Sequence, residues 1–489
     1  TGAGAQTITG AINGGADGEG KIFITDSTAD VASDLKTFES VIGTTNDVLQ
    51  LNVGSSTLAG AALFKAQVDA ATITLTGGSH ADEDATAEFQ DAVTATAIVL
   101  DDSNTGQAIA TFNATNGAKT IAGTVNGNAA NKGSIVIIDD DAQAAPDLLT
   151  FSGRIGQTGL LNLTVGSTTQ GGAAKFTDAN AQVADQIKII GGDYSTEDSS
   201  VEFQGAGVTA VATVFDDNTG SASMTINATN GAGTVAGTIN GTADGDGTLN
   251  VIDDDSGESH LVTFTGIIGA TKTIGTYNIG TATQGGNAIH SAVLNVETAT
   301  NITGGDHGSE DNQLEITATG TSALGAVTLD DNTGDANLKI NTTNGAATIT
   351  GTIDGNAAGI GSLFILDDDD NEAGQIATIS NNVGATYKLA DITVGTANTV
   401  VGNATFSGSV AATTITVNGG EDNTEDSLVT VTGAVTATTI NVNGTTANNS
   451  ATSILDVNND ITSPTINILA GAANTGADAT LRVTGDITP

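Results

Sequence analysis

Apolar and polar residues alternate in short runs along this chain, and the runs are cut by turn residues every ten residues or so. In "FQGAGVTAVATVFDDNTGS", beginning at Phe203, Gly205 and Gly207 interrupt the first apolar run, Val208, Val211, Thr213 and Phe215 make a second, and an acidic turn follows. Partial alternation of this kind predicts half-buried strands, and the glycines mark their ends. No convincing helical stripe occurs. The predicted unit is strand, turn, strand, loop.

That unit recurs. Aligning "FSGSVAATTITVNGG" at 406, "VTGAVTATTINVNG" at 431, "VNNDITSPTINIL" at 457 and "VTGDITP" at 483 gives leading residues 25, 26 and 26 apart. Carried backward, the leads are Phe38, Phe64, Phe89, Phe112, Phe151, Phe176, Phe203, Ile226, Phe264, Ile289, Ile316, Ile340 and Ile379. Nine of the 12 Phe residues fall at these positions. One ring per short unit at one phase predicts a stack of rings inside a solenoid.

A longer period encloses the short one. "GAINGGADGEGKIFITDS" begins at Gly10, and related phrases begin at Gly123, Gly237 and Gly351, spaced by 113, 114 and 114. Gly-Gly pairs starting at Gly77, Gly191, Gly304 and Gly419 agree, and each precedes an acidic pair: Glu83-Asp84, Glu197-Asp198, Glu310-Asp311 and Glu425-Asp426. The organisation read from this is residues 1–122, 123–236, 237–350 and 351–489, each built of about four short units with the fourth stretched to 38 or 39 residues in the first three. Strands this short cannot stand alone. Stacked coil on coil they can, about 4.8 Å apart. The expected fold is therefore all-β, a β-solenoid (parallel β-helix) of coils of about 25 residues. Tandem β-sandwich domains, whose size matches the long period, are the competing expectation.

Composition narrows the function. The chain carries 56 acidic and 12 basic residues, a net charge of -44, which excludes nucleic acid and anionic lipid as partners and favours cations. Abundant β-branched residues, 64 Gly and only 3 Pro argue for an ordered β protein rather than a disordered acidic one. Cysteine is absent, so disulfides and thiolate metal sites are excluded. No transmembrane helix or signal peptide is visible. The start at Thr1 reads as a processed chain or part of a longer one.

The acid is concentrated in recurring turns. "DDNTG" supplies Asp216 and Asp217, then Asp330 and Asp331, with "DDSNTG" supplying Asp101 and Asp102. The "IDDD" segments supply Asp139, Asp140 and Asp141, then Asp253, Asp254 and Asp255, then Asp367, Asp368 and Asp369. The acidic pairs add Glu197, Asp198, Glu425 and Asp426. On the coil template all three kinds of turn leave the solenoid on one side, which crowds like charges from successive coils. Calcium, a cation that takes six to eight oxygen ligands in loose geometry, is the expected bridge. Neither an EF-hand loop nor a nonapeptide calcium repeat is present. His80 and His307 share the "GGSH" and "GGDH" loops, but Tyr194 and Asp422 stand near that point in the other copies, so a surface loop is expected there rather than a catalytic histidine. Asn113, Asn227 and Asn341 head Asn-x-Thr sequons. Acid pairs that recur in every unit, with no Trp and few aromatics, argue against a sugar-cleaving enzyme.

"FTGIIGATKTIGTYNIG", "TVAGTING" and "VTGAVTATTINVNG" resemble the repeats of bacterial β-strand-repeat surface proteins, the class of surface-layer proteins and autotransporter-adhesin passengers. The resemblance implies secretion to the cell surface, a structural or adhesive role without enzymatic activity, and calcium-dependent assembly. The first expectation is a component of an extracellular array or filament whose partners are copies of itself. An anchor domain or outer-membrane polysaccharide would be a further partner. The alternative is an adhesin stalk that presents a binding region lying outside this chain, with a polysaccharide-active β-helix enzyme as a remote third.

Overall fold

In many strands small and large apolar residues alternate with polar ones, and the burial follows them. In Ala85–Phe89, Ala85, Ala87 and Phe89 are buried while Thr86 and Glu88 face outward. Such a strand has one face to hide and two backbone edges to pair. Both needs are met when each strand lies in register on the equivalent strand of the next coil. A computed structural model describes the chain except for residues 1–3, 27–33, 103–104, 116, 141–144, 179, 206, 255–259, 368–374, 397–399, 420–425, 445–450 and 472–477. Among the described residues there is no helix. The strands pair in parallel with partners one coil away, so the chain is a β-solenoid, and the antiparallel sandwich alternative is overturned.

The chain divides into two compact units, Thr1–Thr248 and Leu249–Pro489. In the first, each coil gives one interior residue to each of three columns. One column runs Phe38, Phe64, Phe89, Phe112, Ile137, Val165, Ile189 and Phe215. The second runs Ile42, Val68, Val93, Ile121, Phe151, Phe176, Phe203 and Ile226. The third runs Leu51, Ile73, Ile98, Val125, Ile155, Ala181, Val208 and Val235. A coil is thus three-sided, because the longer second strand of the predicted unit bends and serves two faces.

The rings stack as the period demands. Phe38, Phe64, Phe89 and Phe112 follow one another at 5.0, 5.0 and 5.5 Å between centroids, nearly parallel. Phe151, Phe176 and Phe203 do the same at 4.9 and 5.1 Å. These separations follow the strand spacing of about 4.8 Å and give the offset stacking that aromatic pairs prefer.

The stretched fourth unit has a specific consequence. Phe112 and Phe151 touch at 5.2 Å but edge to face, at 89°, because they belong to different columns. The segment Ser134–Ile138 continues the first column beneath Phe112, so the next Phe-bearing strand, Leu148–Phe151, is displaced to the second column. The sequence motif has moved on by one face. The second unit repeats the step. Phe264, His290, Ile316, Ile340, Ile365, Val394 and Val417 form one column. Ile379, Phe406, Val431 and Val457 belong to another, in a separate seven-stranded sheet. Two expectations are corrected here. The fourth unit is not one long coil but a coil plus an added strand. The lead after Phe264 is His290 rather than Ile289, since Phe264 pairs with His290 and His290 with Ile316.

Burial of the stack sets the main stabilising term. Replacing Phe176, 2% exposed, by Ala removes a ring between two others and should cost about 3–5 kcal/mol in denaturant unfolding. Phe23, 67% exposed, provides the control, and its replacement by Ala should change stability by no more than about 0.5 kcal/mol.

Candidate functional site: the acidic turns

Each acidic motif occupies a corner where the backbone leaves one strand and must satisfy its own amides before the next. In the Gly-Gly turn, Glu83 is fully buried, and its Oε2 accepts the backbone amide of His80 (2.9 Å) and the hydroxyl of Ser79 (3.2 Å). Glu197 accepts Tyr194 N–H at 3.3 Å and Glu310 accepts His307 N–H at 3.1 Å in the same way. The following aspartate reaches the next coil. Asp84 accepts Gln107 N–H at 2.8 Å, Asp198 accepts Ser221 N–H at 2.8 Å, Asp311 accepts Asp335 N–H at 3.0 Å, and Asp426 accepts Thr452 N–H at 2.6 Å.

The second aspartate of the "DDNTG" turn ties two levels together. Asp217 accepts Ala222 N–H at 2.6 Å within its turn and Gly247 N–H at 2.9 Å one coil on. Asp331 does so with Ala336 and Gly361, both at 2.8 Å. Asp102 holds Ala108 N–H and, at 2.6 Å, Gly133 N–H. The donor position one coil on demands glycine. Gly247 has φ +84°, and a Cβ there would lie 2.2 Å from the Phe215 ring. Burial, partly offset by the two amides, with Asp246 and Asp198 nearby, raises the Asp217 pKa above the usual carboxylate value.

The first aspartate of each "IDDD" segment closes the extended loop. Asp139 accepts Asp147 N–H at 2.6 Å, and Asp367 accepts Gln375 N–H. Asp253, fully buried, accepts His260 N–H at 2.6 Å and the His260 ring Nδ1 lies 2.7 Å from the same oxygen. Asp26 plays this part in the first copy through Asp34 N–H at 3.2 Å. The sequence signal for Asp26 was its place in "FITDS", which aligns with the later segments.

The remaining candidates divide by exposure. Asp140 and Asp254 are exposed; Asp101, Asp216 and Asp330 are half-buried at strand ends. Asp216 pairs with Lys188 at 2.9 Å and accepts the Thr242 hydroxyl at 2.9 Å. Asp141, Asp255, Asp368, Asp369 and Glu425 lie outside the described residues. The Gly-Gly and "DDNTG" turns share a corner, since Gly220 N–H donates to Gly192 O at 2.9 Å and Gly334 N–H to Gly305 O at 3.0 Å. Within one copy the "IDDD" loops do not, although Asp139 opens the corner that Glu197 and Asp217 use in the next copy. They follow the added strand, as Ser134–Ile138 precedes Asp139, and so leave from the next corner. The expectation of one side for all three turns is corrected accordingly.

Carboxylates crowd the shared corner. Burial, then Asp311, Asp331 and Asp391, hold the Asp335 carboxyl above its usual pKa. Asp306, His307 and Glu310 bring one ligand atom each within 4.8 Å of one another. His307 Nδ1 is 2.8 Å from Asp306 and 3.5 Å from Glu310, and the hydrogen bond to Asp306 is the first cause of its raised pKa. His80 and Tyr194 hold the same turn position, so the histidine decorates a structural loop.

The sequons carry a role that motif reading missed. Asn113, Asn227 and Asn341 are buried, and their Nδ2 groups donate to Glu88, Glu202 and Glu315 one coil back at 2.9, 3.0 and 2.9 Å. Their Oδ1 atoms accept the amides of Thr115, Thr229 and Thr343. Lys175 and Lys339 neutralise two of these glutamates at 3.2 and 3.1 Å. The detectable signal was the matched spacing of Glu88, Glu202 and Glu315 with the three asparagines.

If these carboxylates are acceptors for buried amides, removal is expensive. Asp331→Ala should lower the stability of the second unit by about 1.5–3 kcal/mol, as for hydrogen bonds to a charged group. Asp140→Ala, at an exposed position, should stay within about 0.5 kcal/mol in the same urea titration. No protein-family model, curated protein or solved structure matches this chain.

Proposed function

We propose that this chain is a structural component of an extracellular surface array or filament, built from copies of itself, in which calcium bridges the acidic turns. The observation that carries the reading is that Asp311, Asp331 and Asp391, which come from three different levels of the winding, all act on the Asp335 carboxyl, on a chain of net charge -44. Asp311 and Asp331 have lone pairs beyond those their amides use, and calcium accepts several such oxygens at once. A β-solenoid supports a load-bearing or spacing role, because its stability is spread over nearest-neighbour coils rather than held in one centre. The carboxylates serve repeated structural turns, and this favours a role other than catalysis. A cell-surface location fits the resemblance of the repeats to surface-layer and adhesin sequences.

Electron microscopy of the purified protein in millimolar calcium should show ordered sheets or filaments that disperse on adding a chelator. The same calcium concentration should raise the melting temperature beyond an equal ionic strength of sodium chloride. Single particles under both conditions, with no calcium-specific shift in melting, would refute the proposal.

A further inference from the structure

The interior column of the second unit contains one residue of a different kind. His290 is fully buried where other coils place Phe, Ile or Val. Its ring lies flat on Phe264, 4.5 Å away at 7°, and meets Tyr277 edge-on at 5.3 Å. Its Nε2 is 2.8 Å from the Tyr277 hydroxyl, and its Nδ1 has no hydrogen-bond partner among the described residues. Tyr277 is itself fully buried.

This pair tolerates a neutral imidazole and opposes a charged one. An imidazolium donates from both nitrogens. Nδ1–H would then point into an apolar interior without an acceptor, and the charge would have no counter-ion. The titratable group that faces the ring is Tyr277, which cannot offset a positive charge while it keeps its proton. The rungs on either side contribute Phe264 and Ile316. The nearest carboxylate along that strand, Glu315, is committed to Lys339 at 3.1 Å and Asn341 at 2.9 Å.

We infer that His290 is an acid-sensitive catch: the coils around Phe264, Tyr277 and His290 are held shut while the imidazole is neutral, and they open when it takes a proton. Supporting the geometry, burial lowers the His290 pKa to about 3 from 6.5. The sign follows from linkage. Between those values the opened state binds a proton that the closed state refuses, so the closed state is favoured in full above pH about 6.5 and loses ground as pH falls toward 3. One proton shifts the opening equilibrium up to tenfold per pH unit.

The test uses the intact chain. Hydrogen exchange at pH 7, 6, 5 and 4, corrected for the intrinsic exchange rate, should show opening of Leu261–Phe264, Ile274–Ile279 and Asn287–His290 that rises up to tenfold per pH unit. His290→Phe and His290→Ile should abolish that proton-linked rise while leaving the exchange of Ala173–Phe176 unchanged. The titration of many carboxylates is common to all variants and cancels in the difference. Because the chain has 4 His residues, ring-labelled NMR offers a check that needs no variant. One histidine signal should hold its neutral position down to about pH 4. A wild-type profile matched by both variants, or four signals that all titrate near pH 6.5, would overturn the inference.

Discussion

Every coil of this protein must fit the coil beside it, and that single requirement governs the rest. A parallel strand pair exchanges hydrogen bonds along its length, so equivalent backbone positions sit about 4.8 Å apart whatever side chains they carry. Interior residues at equivalent positions therefore stack on one another. Phe38 over Phe64 over Phe89 is stable because neither ring leaves a gap or a clash for the next. The same rule reaches the corners. A Cβ at Gly191 would lie 1.8 Å from the Gly220 carbonyl oxygen, so two glycine motifs far apart in meaning are one packing event.

Corners are where such a ladder is weakest, since turning backbone cannot keep pairing with itself. Here carboxylates take over as acceptors. Glutamate closes its own turn, the next aspartate reaches the following coil, and the second aspartate of the "DDNTG" turn holds amides on two levels. Asn227 with Glu202 does similar work between strands. Much of the acid that gives the chain its charge is therefore structural. Charge-assisted bonds of this kind are stronger than neutral ones, but they accumulate like charge at the corners. Stability and charge crowding are linked through the same groups.

The solenoid was legible because aromatic residues are rare and regularly placed. Nine Phe residues at one phase identify the interior, and the recurrence of Gly-Gly and "DDNTG" identifies the corners. The three-sided coil was not legible. In some coils the second strand turns a corner without a Gly or Pro to mark it, as between Ala70 and Thr72, where pairing with Ala95 and Ala97 continues across the bend, whereas Gly123 and Gly237 stand at that bend in others. The Ile289 reading failed because apolarity was taken as the mark of the interior. A polar ring with Phe264 on one face and a tyrosine hydroxyl at its edge satisfies that environment equally well. The acidic motifs were found but their immediate partners were not, since backbone amides leave no trace in a sequence.

The advance of the motif by one face has a bearing on valence. In the first unit, the corner carrying Glu83 and Asp102 follows the strands that end near Leu75 and Leu100, whereas the corner carrying Glu197 and Asp217 follows those that end near Ile189 and Phe215. These are different azimuths of the same winding. A flat neighbour can lie against one set of corners and leaves the other open to a second neighbour. A repeat whose motif never changed face would present its corners on one side; the first unit presents them on two, because each repeat advances the motif by one of three faces.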